Sequence, residues 1–332
     1  MFHHILVPLD GTECAEQAIP LAAKIARASG ATLTLLNVIE VVQDSPAYPI
    51  PVLSQEIIDA HKEKGISYLS RMRTSAYLND LPVETKLWFG SFSGSLADAR
   101  MEHIDLIVIS RYRGTDSRHY TMGSIVQYIA HRGPIPVLLL HGRRAQTERN
   151  DLRPFCILVA LDGSKYAETA IRPASMLSVL LSAPEAGSLY LLCMMCPALV
   201  PVNLDAEGRT QQTNDEARQM AQTYLEGIKK KMFREIVHNF PLRINFAQHE
   251  AQDVPEMLAD LVEMEQTLIA PPLSAFASSI NDRHAVARRL LGSVAETLFD
   301  CTHLPILAIQ HAEERNEKHA YPDRVARQMS MR

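Results

Sequence analysis

Short, densely apolar runs alternate along the chain with longer stretches in which apolar positions recur every three or four residues. Ile5–Leu9, Thr32–Ile39, Leu106–Ser110 and Val137–Leu140 are runs of the first kind, and Val83–Phe89 alternates as a strand does. Their length, β-branched content and flanking turn residues predict strands, buried on both faces where the run is continuous. Glu16–Ser29, Ser54–Leu78, Ser95–His103 and Ser124–His131 carry the helical spacing. In the first of these, Ile19, Ala22, Ala23 and Ala26 share a face, Pro20 falls in the opening turns and Gly30 stops the helix. In the second, Ile57, Ile58, His61, Ile66 and Leu69 are expected on or near the inner face. Val41–Leu53 carries Pro46, Pro49 and Pro51 and reads as a loop. The order β-α-β-α-β-α-β-α-β predicts a parallel sheet with helices on both faces, and right-handed crossovers make it doubly wound.

The same order then begins again. ILVPLDGT at Ile5–Thr12 returns as ILVALDGS at Ile157–Ser164. Gly123-Ser124 returns as Gly292-Ser293, and PVLLL at Pro136–Leu140 returns as PILAI at Pro305–Ile309. The second set of strands is expected at Ile157–Leu161, Leu189–Met195, Leu242–Ala247, Thr267–Ala270 and Ile306–Ile309. Its helices are expected at Tyr166–Leu181, Thr213–His238, Val254–Met264 and Val294–Phe299. The second copy is longer, with the extra residues expected before Leu189 and between Ala270 and Arg288. A repeat of this period means two copies of one domain rather than a solenoid. We expect domains at 1–141 and 153–312, joined by a polar, Arg-rich linker at 142–152 and followed by a charged, aperiodic, mobile tail at 313–332.

Composition narrows the function classes. With 332 residues, 47% hydrophobic and 21% charged, each copy is long enough to bury its own core. A net charge of −5 argues against a general nucleic-acid binder. There is no apolar stretch of membrane-spanning length and no signal-peptide layout, so we expect a cytoplasmic protein without a membrane partner. The cysteines are odd in number (five) and irregularly spaced, which suits reduced thiols. Cys193-Met-Met-Cys196 matches C-x-x-C, but Cys193 ends an apolar run rather than opening a helix, so a core cysteine is expected. His3, His4 and His61 lack metal spacing, and the acid-rich Glu256–Glu265 reads as a solvated face. Neither a nucleophile elbow nor a Walker loop is present, and no nucleophile–base–orienter set can be named.

In a doubly wound sheet the ligand crevice lies beyond the carboxyl ends of the strands, where strand order reverses. Three segments converge there: Pro8-Leu9-Asp10 after the first strand, Val38 at the end of the second, and Gly123-Ser124 opening the helix after the fourth. Glycine permits close backbone approach, the helix N-terminus offers free N–H groups to a phosphate, and Asp10 offers acceptors to ribose hydroxyls. A turn role for Asp10-Gly11 and Asp162-Gly163, and a capping role for the two Gly-Ser pairs, explain the same residues without a ligand.

Taken together, ILVPLDGT, LLNVIE, DLIVIS and the Gly-Ser before PVLLL resemble the universal stress proteins, here as a tandem member. The likeness covers both copies to about His311. It implies two five-stranded parallel sheets of the Rossmann-related, adenine-nucleotide alpha-hydrolase-like class. It also implies dimerisation through the last strand and, in one branch, ATP held by G-x2-G-x9-G-[S/T]. Counted back from Gly123, that pattern falls on Ser110 and Arg113. Arg113 departs from it because a Cβ hinders backbone approach; Gly114 stands one residue later, and Arg111, Arg113 and Arg118 offer side-chain donors to phosphate. ATP, with Mg2+ as its companion, is therefore expected in the first copy only. In the second, the count back from Gly292 falls on Ser279 and Asp282, and alignment on the strand falls on Pro272 and Ala275. Three readings stay open: a nucleotide-binding stress regulator whose second copy is a built-in dimer partner, with hydrolysis slow at most; a nucleotide-free interaction module packing through Val137–Leu140 and Ile306–Ile309; and a nucleotide-using enzyme. Self-association of two chains and unidentified protein partners are expected alongside.

Overall fold

The computed structural model describes residues 1–39, 55–90, 95, 103–111, 135–141, 155–161, 163–195, 211–237, 241–250, 273–280 and 304–310. Its strands are β1 (His4–Leu9), β2 (Thr32–Ile39), β3 (Val83–Phe89), β4 (Leu106–Arg111) and β5 (Val137–His141). They are followed by β6 (Cys156–Leu161), β7 (Gly187–Met195), β8 (Leu242–Glu250), β9 (Leu273–Ile280) and β10 (Ile306–Gln310). The described helices are α1 (Glu13–Glu16), α2 (Ala18–Ser29), α3 (Gln55–Arg73), α4 (Lys165–Glu168), α5 (Ile171–Ser182) and α6 (Gln211–Met232).

The strands make one sheet in the order β3-β2-β1-β4-β5-β10-β9-β6-β7-β8. Read outward from its middle, the second five strands repeat the order of the first five. Every neighbouring pair is parallel except β5 and β10, which run antiparallel. Their register pairs Leu138 with Leu307, Leu139 with Ile306 and Val137 with Ala308. Leu138 and Leu307 are counterparts in the two repeated segments, so a local twofold axis passes between them. That is the self-complementary pairing of an isologous dimer, made here within one chain. Leu138 is 1% and Leu307 0% exposed.

The core crosses this junction. Ile5, Val7 and Leu9 of β1, Ala22 and Ala26 of α2, and Leu69 and Met72 of α3 belong to one apolar cluster with Ile157, Val159, Leu161, Ala174, Leu177 and Ile228. Helices α2 and α5, one from each half, touch each other. The α/β class with a mostly parallel, doubly wound sheet is thus as the apolar pattern predicts.

Several local expectations are corrected. The helix read as Glu16–Ser29 is two helices, α1 and α2, because the chain turns at Gln17 after Thr12 has capped α1. The same break separates α4 from α5 in place of a continuous Tyr166–Leu181. Helix α3 ends at Arg73, short of Leu78, and a 3-10 turn covers Ala76–Leu78. Its inner face is Gly65, Leu69 and Met72, whereas His61 is exposed and Ile66 is 52% exposed. The largest shift is β9, which lies at Leu273–Ile280 and not at Thr267–Ala270. Its partners settle the alignment of the copies: Ser110 pairs with Leu140 and Ser279 with Ile309, so Ser279 stands where Ser110 does. Ala277 to Ile280 is therefore strand, and the extra length of the second copy has already accumulated before β9. The linker, the tail, the helices expected at Ser124–His131, Val254–Met264 and Val294–Phe299, and all of Ser95–His103 except its two end residues lie outside the described residues.

Candidate functional site

Strand order reverses between β1 and β4 in the first half of the sheet, and between β6 and β9 in the second. At the first of these points Leu9 ends β1 beside Asn37 of β2, and Ser110 stands at the corresponding level of β4. Pro8, Leu9, Val38 and Ser110 are all buried. Alternation divides them between faces. Leu9 belongs to the α2–α3 face, with Asn37 beside it and Ser110 two residues beyond Val108 of the same cluster, whereas Pro8 and Val38 point to the opposite face.

Asp10, partly buried, leaves the sheet in a tight turn. Gly11 follows at φ +86, in the left-handed region where a Cβ is strained. The Thr12 backbone N–H and its hydroxyl both donate to Asp10 Oδ1, at 2.9 Å and 2.6 Å. Thr12 Oγ1 in turn accepts the Ala15 N–H at 3.2 Å and caps α1. One carboxylate oxygen is thereby tied into the turn. The second half shares the glycine and the cap: Gly163 lies at φ +84 and Ser164 Oγ accepts the Ala167 N–H at 3.1 Å, while Asp162 lies outside the described residues. A left-handed glycine followed by a hydroxyl cap is thus common to both copies.

Three residues around the crevice were not singled out from sequence. Asn37, 6% exposed, donates from Nδ2 to the Leu9 carbonyl at 2.9 Å. Cys14 of α1, 5% exposed, brings its Sγ to 3.9 Å from Ser110 Oγ. Tyr68 of α3 packs beside Glu16, which pairs with Arg71 at 3.6 Å while the Arg71 guanidinium lies 5.5 Å from the Tyr68 ring centre. Burial, and then the charge of Glu16, push the Tyr68 phenol well above the usual tyrosine range. The signals for these residues were a lone Asn inside an apolar strand and a Tyr-Leu pair common to α3 and α6 (Tyr68-Leu69, Tyr224-Leu225).

Of the other expected site residues, Arg111 is the last residue of β4, while Arg113, Gly114, Arg118, Gly123 and Ser124 lie outside the described residues. In the second half Ser279 is on β9, and Pro272, Asp282, Gly292 and Ser293 lie outside. Cys193 is a buried residue of β7, 1% exposed, as expected of a core cysteine. No group of His, Cys, Asp and Glu among the described residues is arranged to hold a metal ion. No described helix is long and apolar enough to cross a membrane.

Comparison with known proteins agrees with this geometry. A Staphylococcus aureus (strain USA300) protein assigned to the universal stress proteins is 29% identical over 150 residues, covering 42% of this chain and 84% of that protein. The crystal structure of a universal stress protein from Archaeoglobus fulgidus superposes with a TM-score of 0.60 at 15% identity, over 93% of this chain and 98% of that one. A Pseudomonas aeruginosa protein assigned to the same class superposes at 0.52, also at 15% identity, over 93% of each chain. At such identities the structural likeness is one of fold. Residues 1–141 match the Universal stress protein family; this first part of the chain is similar to that family in sequence, and the whole sheet is similar to its solved structures in fold.

Proposed function

We propose that the chain is a nucleotide-binding stress regulator with one ligand site, in its first domain. The observation that carries this reading is the convergence at the β1–β4 switch point, where buried strand ends surround a carboxylate fixed by Thr12. In this reading Asp10 accepts ribose hydroxyls beside Pro8, Leu9 and Val38. Ser110, Arg111, Arg113, Gly114, Gly123 and Ser124 face the phosphates of ATP and its Mg2+. ATP sets the conformational state by binding one form better than the other, and any hydrolysis is slow. The domains are 1–141 and 153–312, and the second serves as the partner that a single-domain relative would find in another chain. Because β10 already covers β5, two chains that assemble do so through another surface. The protein works in the cytoplasm, on partners recognised by chemistry other than nucleic acid or membrane.

Native mass spectrometry of the full chain with ATP tests the proposal. One ATP per chain, lost in Gly123→Val, is the expected result. Absence of bound nucleotide at millimolar ATP refutes it, and favours the nucleotide-free interaction module that Arg113 at a glycine position also suggests.

A further inference from the structure

The two halves differ at the strand end in a coupled way. Register pairs Leu9 with Asn37 in the first half and Leu161 with Cys193 in the second, so Cys193 stands where Asn37 does. The shared Tyr-Leu pair aligns α3 with α6 and places Ala221 where Gly65 is. Gly65 and Ala221 are both buried inner-face positions. A Cβ on Gly65 would lie 3.0 Å from Asn37 Oδ1 and 2.5 Å from Leu87 Cδ1. Asparagine on β2 therefore comes with glycine on the helix above it, and the smaller cysteine comes with alanine.

We infer that Asn37 is a positioning residue of the nucleotide crevice, that Gly65 makes the room it needs, and that this pair is one reason the first half takes a nucleotide and the second does not. This rests on the nucleotide reading above. The Asn37 amide holds the last carbonyl of β1 at 2.9 Å, where the sheet ladder runs out. That carbonyl belongs to the peptide leading into Asp10, so the amide sets the angle at which the Asp10 turn leaves the sheet. Cysteine has only a weak S–H donor with which to replace the bond. The inference concerns orientation: Asn37 acts through Asp10 and touches no ligand.

The test measures affinities of the full chain for ATP and for 2′,3′-dideoxyATP, which lacks the ribose hydroxyls. The wild type is compared with Asn37→Cys and with Asn37→Cys/Gly65→Ala, which installs the second half's pair. Folding of each variant is checked by thermal melting. ATP binding should weaken about tenfold in both variants, the equivalent of one lost hydrogen bond. Binding of the dideoxy analogue should not change, and Asn37→Cys should add nothing in an Asp10→Asn background. The inference is overturned if the variants keep the ATP preference, or if both nucleotides weaken equally, as a general loosening would give. A wild type that binds the two nucleotides equally also overturns it while leaving the nucleotide reading standing. A wild type that binds neither overturns both.

Discussion

Truncating Leu138 and Leu307 together should cost measurably less than the sum of the two single truncations. These leucines face each other across the antiparallel β5–β10 pair and both lie in the common core. Removing a fully buried leucine side chain forfeits its transfer energy and leaves a partly relaxed cavity, so each Leu→Ala change should cost about 3 kcal/mol. Directly opposed residues in a sheet have their Cβ atoms about 5 Å apart, so each leucine is a main packing partner of the other. Once one is gone, the second has less contact left to lose, and the double variant should fall short of additivity by about 1 kcal/mol. Urea unfolding of the wild type, both single variants and the double variant closes the cycle. The control pairs Leu138→Ala with Leu69→Ala; α3 packs against β2 and β3, away from the β5–β10 junction, and this pair should add within about 0.4 kcal/mol. If the Leu138–Leu307 cycle is equally additive, the two halves do not share this strand pair in solution and the continuous sheet is wrong.

Two further outcomes follow from local geometry. Gly11 lies at φ +86 with open space where a Cβ would go, so Gly11→Ala should cost about 1 kcal/mol from backbone strain alone, and Gly11→Asn less, in a thermal melt; equal stability of all three would refute the turn. Lys231 Nζ donates to Glu168 Oε2 at 2.8 Å, which raises its pKa from the ordinary 10.5. The folded protein then holds this proton more tightly than the unfolded chain does. The pair's stabilisation should be full below pH 10.5 and disappear as pH rises through the higher folded value. Because Lys231 is half exposed, its worth is about 0.5 kcal/mol at most. Comparing wild type with Lys231→Met from neutral to strongly alkaline pH reads this directly, and a difference that grows with pH would contradict it.

Much of the architecture is written locally. Strand-length apolar runs such as Ile5–Leu9 and Leu106–Ser110 lie within a residue of where their pattern puts them, since a buried parallel strand needs little besides a continuous apolar stretch. The Asp-Gly-Thr turn was also legible, because its glycine, carboxylate and cap are neighbours in the chain. β9 was misplaced for the opposite reason: Leu273–Ile280 holds three serines and two alanines, and it is a strand because β6 and β10 flank it.

The sequence by itself determined the repeated α/β plan, the switch-point location and the turn that carries Asp10, all of which depend on patterns a few residues long. Only the tertiary structure decided that the halves share one sheet through Leu138 and Leu307, that Ser279 is the counterpart of Ser110, and that Asn37 braces the Leu9 carbonyl. Each of these is a contact between residues far apart in the chain. Such a contact exists only when strand register has been fixed, and register is set by packing the whole core rather than by any one segment.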